Sequence, residues 1–389
     1  MPQFFAPCRA FLPLIVLIAA LHIVPVQAQN WFPLTVIADG KTKQYQPLPK
    51  ATKQWRLCAL LPHGKDHYWW GVAWGLSEEA ARQGVMLGIY EAGGYENAEK
   101  QRAQLALCRQ KKADAFIIAA ISAHGLDAEI SQLKAQGIPV IDLINGIDSA
   151  DVSSHSVVSF ADMSAAAASY LLARQPQQQM RLAWFPGPEG AAWVRDAETG
   201  LNRVLANKKV TLLHAGYGPT DAFSQAGLAR AFFAKEQVDG VLANAVAAKV
   251  VAQFLFKEQA FMAKKTGQAK PSAVPVVAYY ANPAVIDMLQ TGQISAAVTD
   301  SPVIQARIAI DLAVRLLQKE QVPKHIGPKI EVLDATTLAQ YPLNRLLPPD
   351  EQWIIRRDLL DLPSEPSKVQ SEVQSEIQSK VQSQLKSQH

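Results

Sequence analysis

From Trp55 onward the chain alternates short, continuous apolar runs with longer segments whose apolar positions recur at helical spacing. "WRLCALLP" (55–62) reads as a buried strand. "YWWGVAWGLSEEAARQG" (68–84) reads as a helix, with Trp69, Ala73, Leu76 and Ala80 on one face and Gly84 as its stop. Strands follow at 85–93, 113–121, 138–144 and 156–160, with helices at 97–111 and 125–136 between them. The pattern then restarts: a helix from Met163 to Arg174, strands at 180–188, 210–218, 238–244, 274–282 and 294–300, and helices at 190–206, 222–236, 246–257, 283–291 and 302–318. Strands apolar throughout are buried on both faces, the habit of parallel sheets. The expected fold is α/β: two doubly wound parallel-sheet lobes in sequence, with a cleft between them. Ligands in such sheets bind beyond the carboxyl ends of the strands.

The flanks differ. Residues 29–54 are polar and Pro-containing without a clear period, and read as an N-terminal arm. From Ser364 to His389 the chain is Ser, Gln, Lys and Glu with Val369, Val373, Ile377, Val381 and Leu385 every fourth residue. That spacing drifts about 40° per step around an α-helix, so a disordered low-complexity tail is expected. At the other end Arg9, the apolar run Phe11–Val26 and Val26-Gln27-Ala28 form a secretory signal, with cleavage expected after Ala28. No direct membrane insertion is expected after cleavage.

The 389 residues suit two domains, and 49% hydrophobic with 19% charged residues marks a globular chain. A net charge of +4, with no basic stripe interleaved with aromatics, argues against nucleic acid as a partner. Export would leave Cys58 and Cys108 in an oxidising compartment, as a disulfide or as two buried thiols. Scattered His residues and the absence of CxxC speak against a metal, and no cofactor is expected. There is no G-x-S-x-G, Walker loop or H-E-x-x-H, so an enzyme is not expected.

The strand ends carry the candidate chemistry. Asp66, Tyr68 and Trp69 follow the first strand, Tyr95 the second, and Phe160 and Asp162 the strand at 156–160. Trp193 follows the strand holding Trp184. Tyr279 and Tyr280 end one later strand and Asp300 another. Ring faces attract methylated ammonium groups, which have no N–H to donate. Tyr hydroxyls and Trp N–H groups can meet an oxygen on the same ligand. A small methylated amine or amine oxide would fit. The plainer readings are packing for Trp70 and Trp74, core for Trp184, and a helix cap for Asp66.

The block "WRLCALLPHGKDHYWWGVAWGLSEEAARQGVMLGIYEAGGY", with "IPVIDLINGID", "PGP", "VVAYY" and "IIRR" further on, resembles the TorT-type periplasmic sensors of trimethylamine N-oxide (TMAO) respiration. More broadly it resembles the type I periplasmic binding proteins of the ribose-binding kind. The resemblance implies two lobes joined by three crossovers near 160, 300 and 322. Residues 55–160 with 301–322 would form the N-terminal lobe, and 161–300 with 323–357 the C-terminal lobe. It implies TMAO as ligand and the periplasmic domain of the sensor histidine kinase TorS as partner. It further implies a cage of Tyr68, Trp69, Tyr95 and Tyr280 with Asp66 beside them. Where those relatives carry a Trp after the fifth strand, Phe160 stands here, keeping a ring face but no indole N–H. The other reading of the same fold is a periplasmic solute-binding protein delivering a sugar or methylated amine to an ABC transporter. A sugar site would want Arg beside its rings, and Arg is scarce at these strand ends.

Overall fold

The computed structural model describes residues 31–174, 179–266, 274–349 and 355–361. The signal segment and the four-residue repeat lie outside these residues.

The first half opens with a hairpin, β1 (Leu34–Ala38) and β2 (Lys41–Tyr45), turned at Asp39–Gly40. Three β-α steps and two further strands follow: β3 (Arg56–Leu61), α1 (Tyr68–Gln83), β4 (Met86–Glu91), α2 (Ala98–Gln110), β5 (Ala115–Ile118), α3 (Asp127–Ala135), β6 (Val140–Leu143) and the short β7 (Ser154–Ser156). The second half is α4 (Phe160–Ala173), β8 (Met180–Phe185), α5 (Ala192–Leu205), β9 (Val210–His214), α6 (Ala222–Phe233), β10 (Gly240–Ala243), α7 (Ala245–Thr266), β11 (Val276–Ala278), α8 (Pro283–Gln290) and β12 (Ala296–Thr299). The chain then returns through α9 (Pro302–Leu317) and β13 (His325–Pro328) before β14 (Glu331–Leu333).

Two sheets result. One has eight strands in the order β2-β1-β13-β7-β6-β5-β3-β4, the other six in the order β14-β12-β11-β10-β8-β9. Every pairing from β13 to β4 and from β12 to β9 is parallel; β1, β2 and β14 pair antiparallel at the margins. The mixed α/β architecture with two mainly parallel sheets is the expected one. The apolar runs are as buried as their texture demands: all residues of β3, β5, β6, β10 and β12 are buried.

Three expectations need correction. Within the stretch read as an N-terminal arm, residues 34–45 form β1 and β2, which extend the eight-stranded sheet through β13. β2 is the exposed edge, polar at four of its five positions, so it hid the period that a buried strand shows. Second, 323–357 does not belong wholly to the second half. β13 lies in the first sheet, and the crossing falls between Pro328 and Glu331 rather than near 322. Residues 355–359 also return to the first sheet, where Arg357 bridges Ile89. Third, 156–160 is not a strand ending in Phe160. The strand stops at Ser156, and Ser159 caps α4 by accepting the backbone N–H of Asp162 at 3.1 Å. A Ser cap three residues before an acid outweighs the β-propensity of two valines.

Candidate functional site

The carboxyl ends of both sheets meet around a tightly closed cavity of about 20 Å³, room for little more than a water molecule until its walls part. Its walls are Asp66, Tyr68, Trp69, Tyr95, Ile144 and Asn145 from the first half, and Phe160, Trp193, Thr220 and Tyr280 from the second. Each sits in a loop that follows a strand or in a first helical turn, Ile144 and Asn145 in the loop from β6 to β7. The structure thus brings together the six leading candidates of the sequence.

Asp66 is the acid of the site and is 4% exposed. Its Oδ1 accepts the backbone N–H of Tyr68 (3.0 Å), setting the entry into α1, and also Asn282 Nδ2 (2.9 Å); its Oδ2 accepts the Tyr280 hydroxyl at 3.2 Å. The residue therefore does more than open a helix: it ties the β3–α1 loop to the second half. A second tie is the Tyr95 hydroxyl, which accepts from Asn145 Nδ2 (3.1 Å) and from the Trp193 indole N–H (3.1 Å). A third joins His63 Nε2 to Thr220 Oγ1 at 3.3 Å. At the rim Arg195 meets Asp148 at 3.0 Å.

The rings stand edge to face. Tyr68 lies 5.4 Å from Trp69 and 5.5 Å from Tyr280, both near perpendicular. Trp193 lies 5.9 Å from Tyr280 and 5.6 Å from Phe160. Such packing turns several π faces toward one small volume. Burial raises the hydroxyl pKa of Tyr68, Tyr95 and Tyr280 above the usual value, so all three stay protonated. Burial also lowers His63, behind the wall, keeping its ring neutral. No Lys or Arg is among the cavity walls, which leaves Asp66 as their charge.

The second-rank candidates divide. Asp300 is fully buried one layer back, where its Oδ2 accepts the Tyr68 hydroxyl (2.6 Å) and Gln305 Nε2 (2.5 Å) while its Oδ1 has no partner. Burial pushes its carboxyl up to about 6. Tyr279 is also behind the wall, donating its hydroxyl to the Pro186 carbonyl and packing on Trp184 at 5.0 Å. Asp162 is away from the site altogether, exposed on α4 and paired with Arg203 at 2.9 Å. It is the third residue of a helix, where an acid favours the positive helix end.

The plainer readings of the other tryptophans hold. Trp70 donates its indole N–H to the Gly64 carbonyl at 3.0 Å, and Trp74 lies under the Arg307 guanidinium. Trp184 is core. The sequence reading did not rank Trp193 among the ligand residues and missed Ile144, Asn145 and Thr220. Ile144 and Asn145 directly follow β6, while Thr220 lies further along the loop after β9 and Trp193 in the first turn of α5 after β8, so their strand-end position was readable, but not which side chains turn inward. Ile144 has φ 67°, a costly conformation of about 1–3 kcal/mol for a β-branched residue, at the cavity wall. Trp193 also supplies an indole N–H beside Phe160, from a different element than expected. Cys58 and Cys108 are joined in a disulfide between β3 and α2, with Cα atoms 6.2 Å apart, within the usual span.

Among the described residues no cluster of three or more His, Cys, Asp or Glu side chains could hold a metal, and no helix is long and apolar enough to cross a membrane. Two sheets facing a small aromatic cavity define a two-lobed binding protein. The chain matches the periplasmic binding protein domain over residues 58–321 and belongs to that family, whose members bind solutes rather than transform them. Within it, periplasmic protein TorT of Escherichia coli (strain K12) is 29% identical over 301 residues, covering 77% of this chain and 84% of TorT. A TorT structure in complex with the TorS sensor domain in the presence of TMAO superposes with a TM-score of 0.67 at 26% identity, covering 77% of this chain and 98% of that one. An ABC transporter solute-binding protein from Bradyrhizobium sp. BTAi1 with bound bis-tris is 38% identical, covers 84% of this chain and 99% of its own length, and has a TM-score of 0.70. The chain is thus a periplasmic binding protein similar in sequence and fold to TorT.

Proposed function

We propose that this protein is a periplasmic receptor for a small methylated amine, TMAO foremost, and that it signals occupancy to the periplasmic domain of the sensor histidine kinase TorS to induce TMAO respiration. The observation that carries the reading is the cavity wall: six rings and one carboxylate, with no basic side chain. A methylated nitrogen is positive but has no N–H, so ring faces and a nearby carboxylate are the groups that can hold it. Trp69 lines the cavity, and its indole N–H has no partner among the described residues. It can donate to an N-oxide oxygen. Export with cleavage after Ala28 fits the same reading.

The TorS partner is supported by the TorS–TorT complexes among the similar structures. A second reading is favoured by the 38% identical Bradyrhizobium protein: delivery of an amine to an ABC transporter. A sugar fits this cavity less well, since Asp66 and Asn145 line it but no Arg does. Calorimetric titration of residues 29–389 with TMAO, alone and with the TorS periplasmic domain, separates the readings. TMAO binding that tightens with the sensor supports the receptor. Binding indifferent to the sensor supports delivery. No binding of TMAO in either case rejects TMAO as the ligand.

A further inference from the structure

The family match ends at residue 321, yet a later segment lies directly against the loops that hold the cavity. We infer that residues 355–360 form a strap that positions the β3–α1 and β4–α2 loops, and through them Asp66, Tyr68, Trp69 and Tyr95. The inference rests on the reading of the cavity as the ligand site.

Two glycines seat the strap. At Gly64, in the loop between β3 and Asp66, an added Cβ would collide with Ile355 Cδ1. At Gly88, in β4, a Cβ would stand 2.8 Å from Leu359 Cβ. Ile355 and Leu359 thus occupy the space that side chains would fill, and Leu359 joins the buried cluster of Cys58, Cys108 and Leu60. Between these anchors the backbone of Arg357 exchanges two hydrogen bonds with Ile89, at 2.7 and 2.9 Å, along the free edge of β4. Arg356 pairs with the buried Glu91, the last residue of β4. Leu359 N–H donates to the Tyr90 hydroxyl at 3.0 Å, and the buried Arg56 donates to the Leu360 carbonyl at 2.6 Å.

The contacts converge on one mechanical point. Gly64 is held on one side by Ile355 and on the other by the Trp70 indole, which bonds its carbonyl. Two residues later Asp66 meets Tyr280 and Asn282 of the second half. The β4–α2 loop is tied to the same place, since Gly94 N–H donates to the Pro62 carbonyl at 3.0 Å, one residue before Tyr95. A shift of Gly64 therefore moves the acid and the first ring of the cage together. Side chains that touch no ligand would then set its affinity.

The test uses the chain lacking only its first 28 residues, with TMAO as probe and amide hydrogen exchange over residues 63–69 as a readout that needs no ligand. Ile355→Ala is compared with Leu171→Ala, a core truncation beside Gly240 at the amino end of the second sheet. The expected result is faster exchange of the loop and about tenfold weaker TMAO binding for Ile355→Ala, beyond what Leu171→Ala shows at an equal loss of melting temperature, with recovery in Ile355→Val. Gly64→Ala should also weaken binding, and Gly64→Ala with Ile355→Ala should bind better than Gly64→Ala alone, because the collision is relieved. Loop exchange that follows melting temperature alone, or a double variant no better than Gly64→Ala, overturns the strap. If the unmodified chain binds no TMAO, the functional reading fails, and the exchange comparison still decides the strap.

Discussion

The two halves of the molecule meet at one cavity but are held together differently. The first half supplies Asp66, Tyr68, Trp69 and Tyr95, and is secured by a disulfide, an added hairpin and chain from beyond the second sheet laid on its edge strand. The second half supplies Phe160, Trp193, Thr220 and Tyr280, contains no cysteine, and relies on packing of α4 against a six-stranded sheet and against α5. The acid and half of the rings thus sit on the reinforced side, where loop geometry is costly to change. The other side contributes mostly rings, whose π faces tolerate small displacements better than a carboxylate's hydrogen bonds do. On the proposed reading of the cavity as the ligand site, the comparison assigns one half to define the ligand's place and the other to cover it.

Breaking the reinforcement should have the largest effect. Closing a loop across a sequence separation of 50 residues is worth about 4 kcal/mol in the chain-entropy account. Cys58→Ser with Cys108→Ser should lower the denaturant midpoint by a corresponding amount, and the loss should be greatest for first-half probes. Equal loss in both halves would show that they unfold as one unit.

Asp300, where the chain passes back to the first half, comes next. Its folded pKa of about 6 stands above the ordinary 3.8, so between those values the folded state holds the proton that the unfolded state has lost. Stability from this group is therefore greatest below pH 4 and falls as pH rises to about 6, by about 3 kcal/mol. Asp300→Asn should flatten that part of the stability–pH curve, measured by denaturant titration at each pH. An unchanged slope would mean that the carboxyl titrates normally.

Truncating a ring of the reinforced half should cost binding as well as some stability, because the rings are packed and Tyr95 is bonded to both halves. Trp69→Ala and Tyr95→Ala should each lose about 2 kcal/mol of TMAO affinity, about thirtyfold, in a titration run on the folded variant well below its lowered melting temperature. Full affinity in both would remove them from the cage. On the covering side the effect should be smaller. Trp193→Phe keeps a ring and loses one hydrogen bond to Tyr95, worth about 1 kcal/mol, so affinity should fall about fivefold. A larger loss there than in Trp69→Ala would invert the comparison. Asp162→Asn, whose pair with Arg203 is exposed on both sides, should leave TMAO affinity unchanged, as surface pairs contribute little.

Much of this was readable from one-dimensional pattern. Continuous apolar runs announced parallel strands because both faces of such a strand are buried, and helical spacing between them announced the crossover helices. The rule that ligands sit beyond strand carboxyl ends led to Asp66, Tyr68, Trp69, Tyr95, Phe160 and Tyr280, all of which line the cavity. The same rule misplaced Asp162, because proximity to a strand end does not say which way a side chain on a helix's first turn points. It left Asn145 and Thr220 unranked, because small polar residues after strands are as common in ordinary turns.

What the sequence determined by itself was therefore the class of fold, the alternation of elements and the residue types at the strand ends, since these follow from local period and propensity. Only the tertiary structure decided what depends on distant chain meeting: the hairpin and β13 completing the first sheet, Cys58 reaching Cys108, Trp193 standing in the cage beside Phe160, and Ile355 seated on Gly64 some 290 residues earlier. Those pairings have no local signature, because hydrogen bonds and packing between distant segments depend on where the rest of the fold places them, not on the residues beside them in the chain.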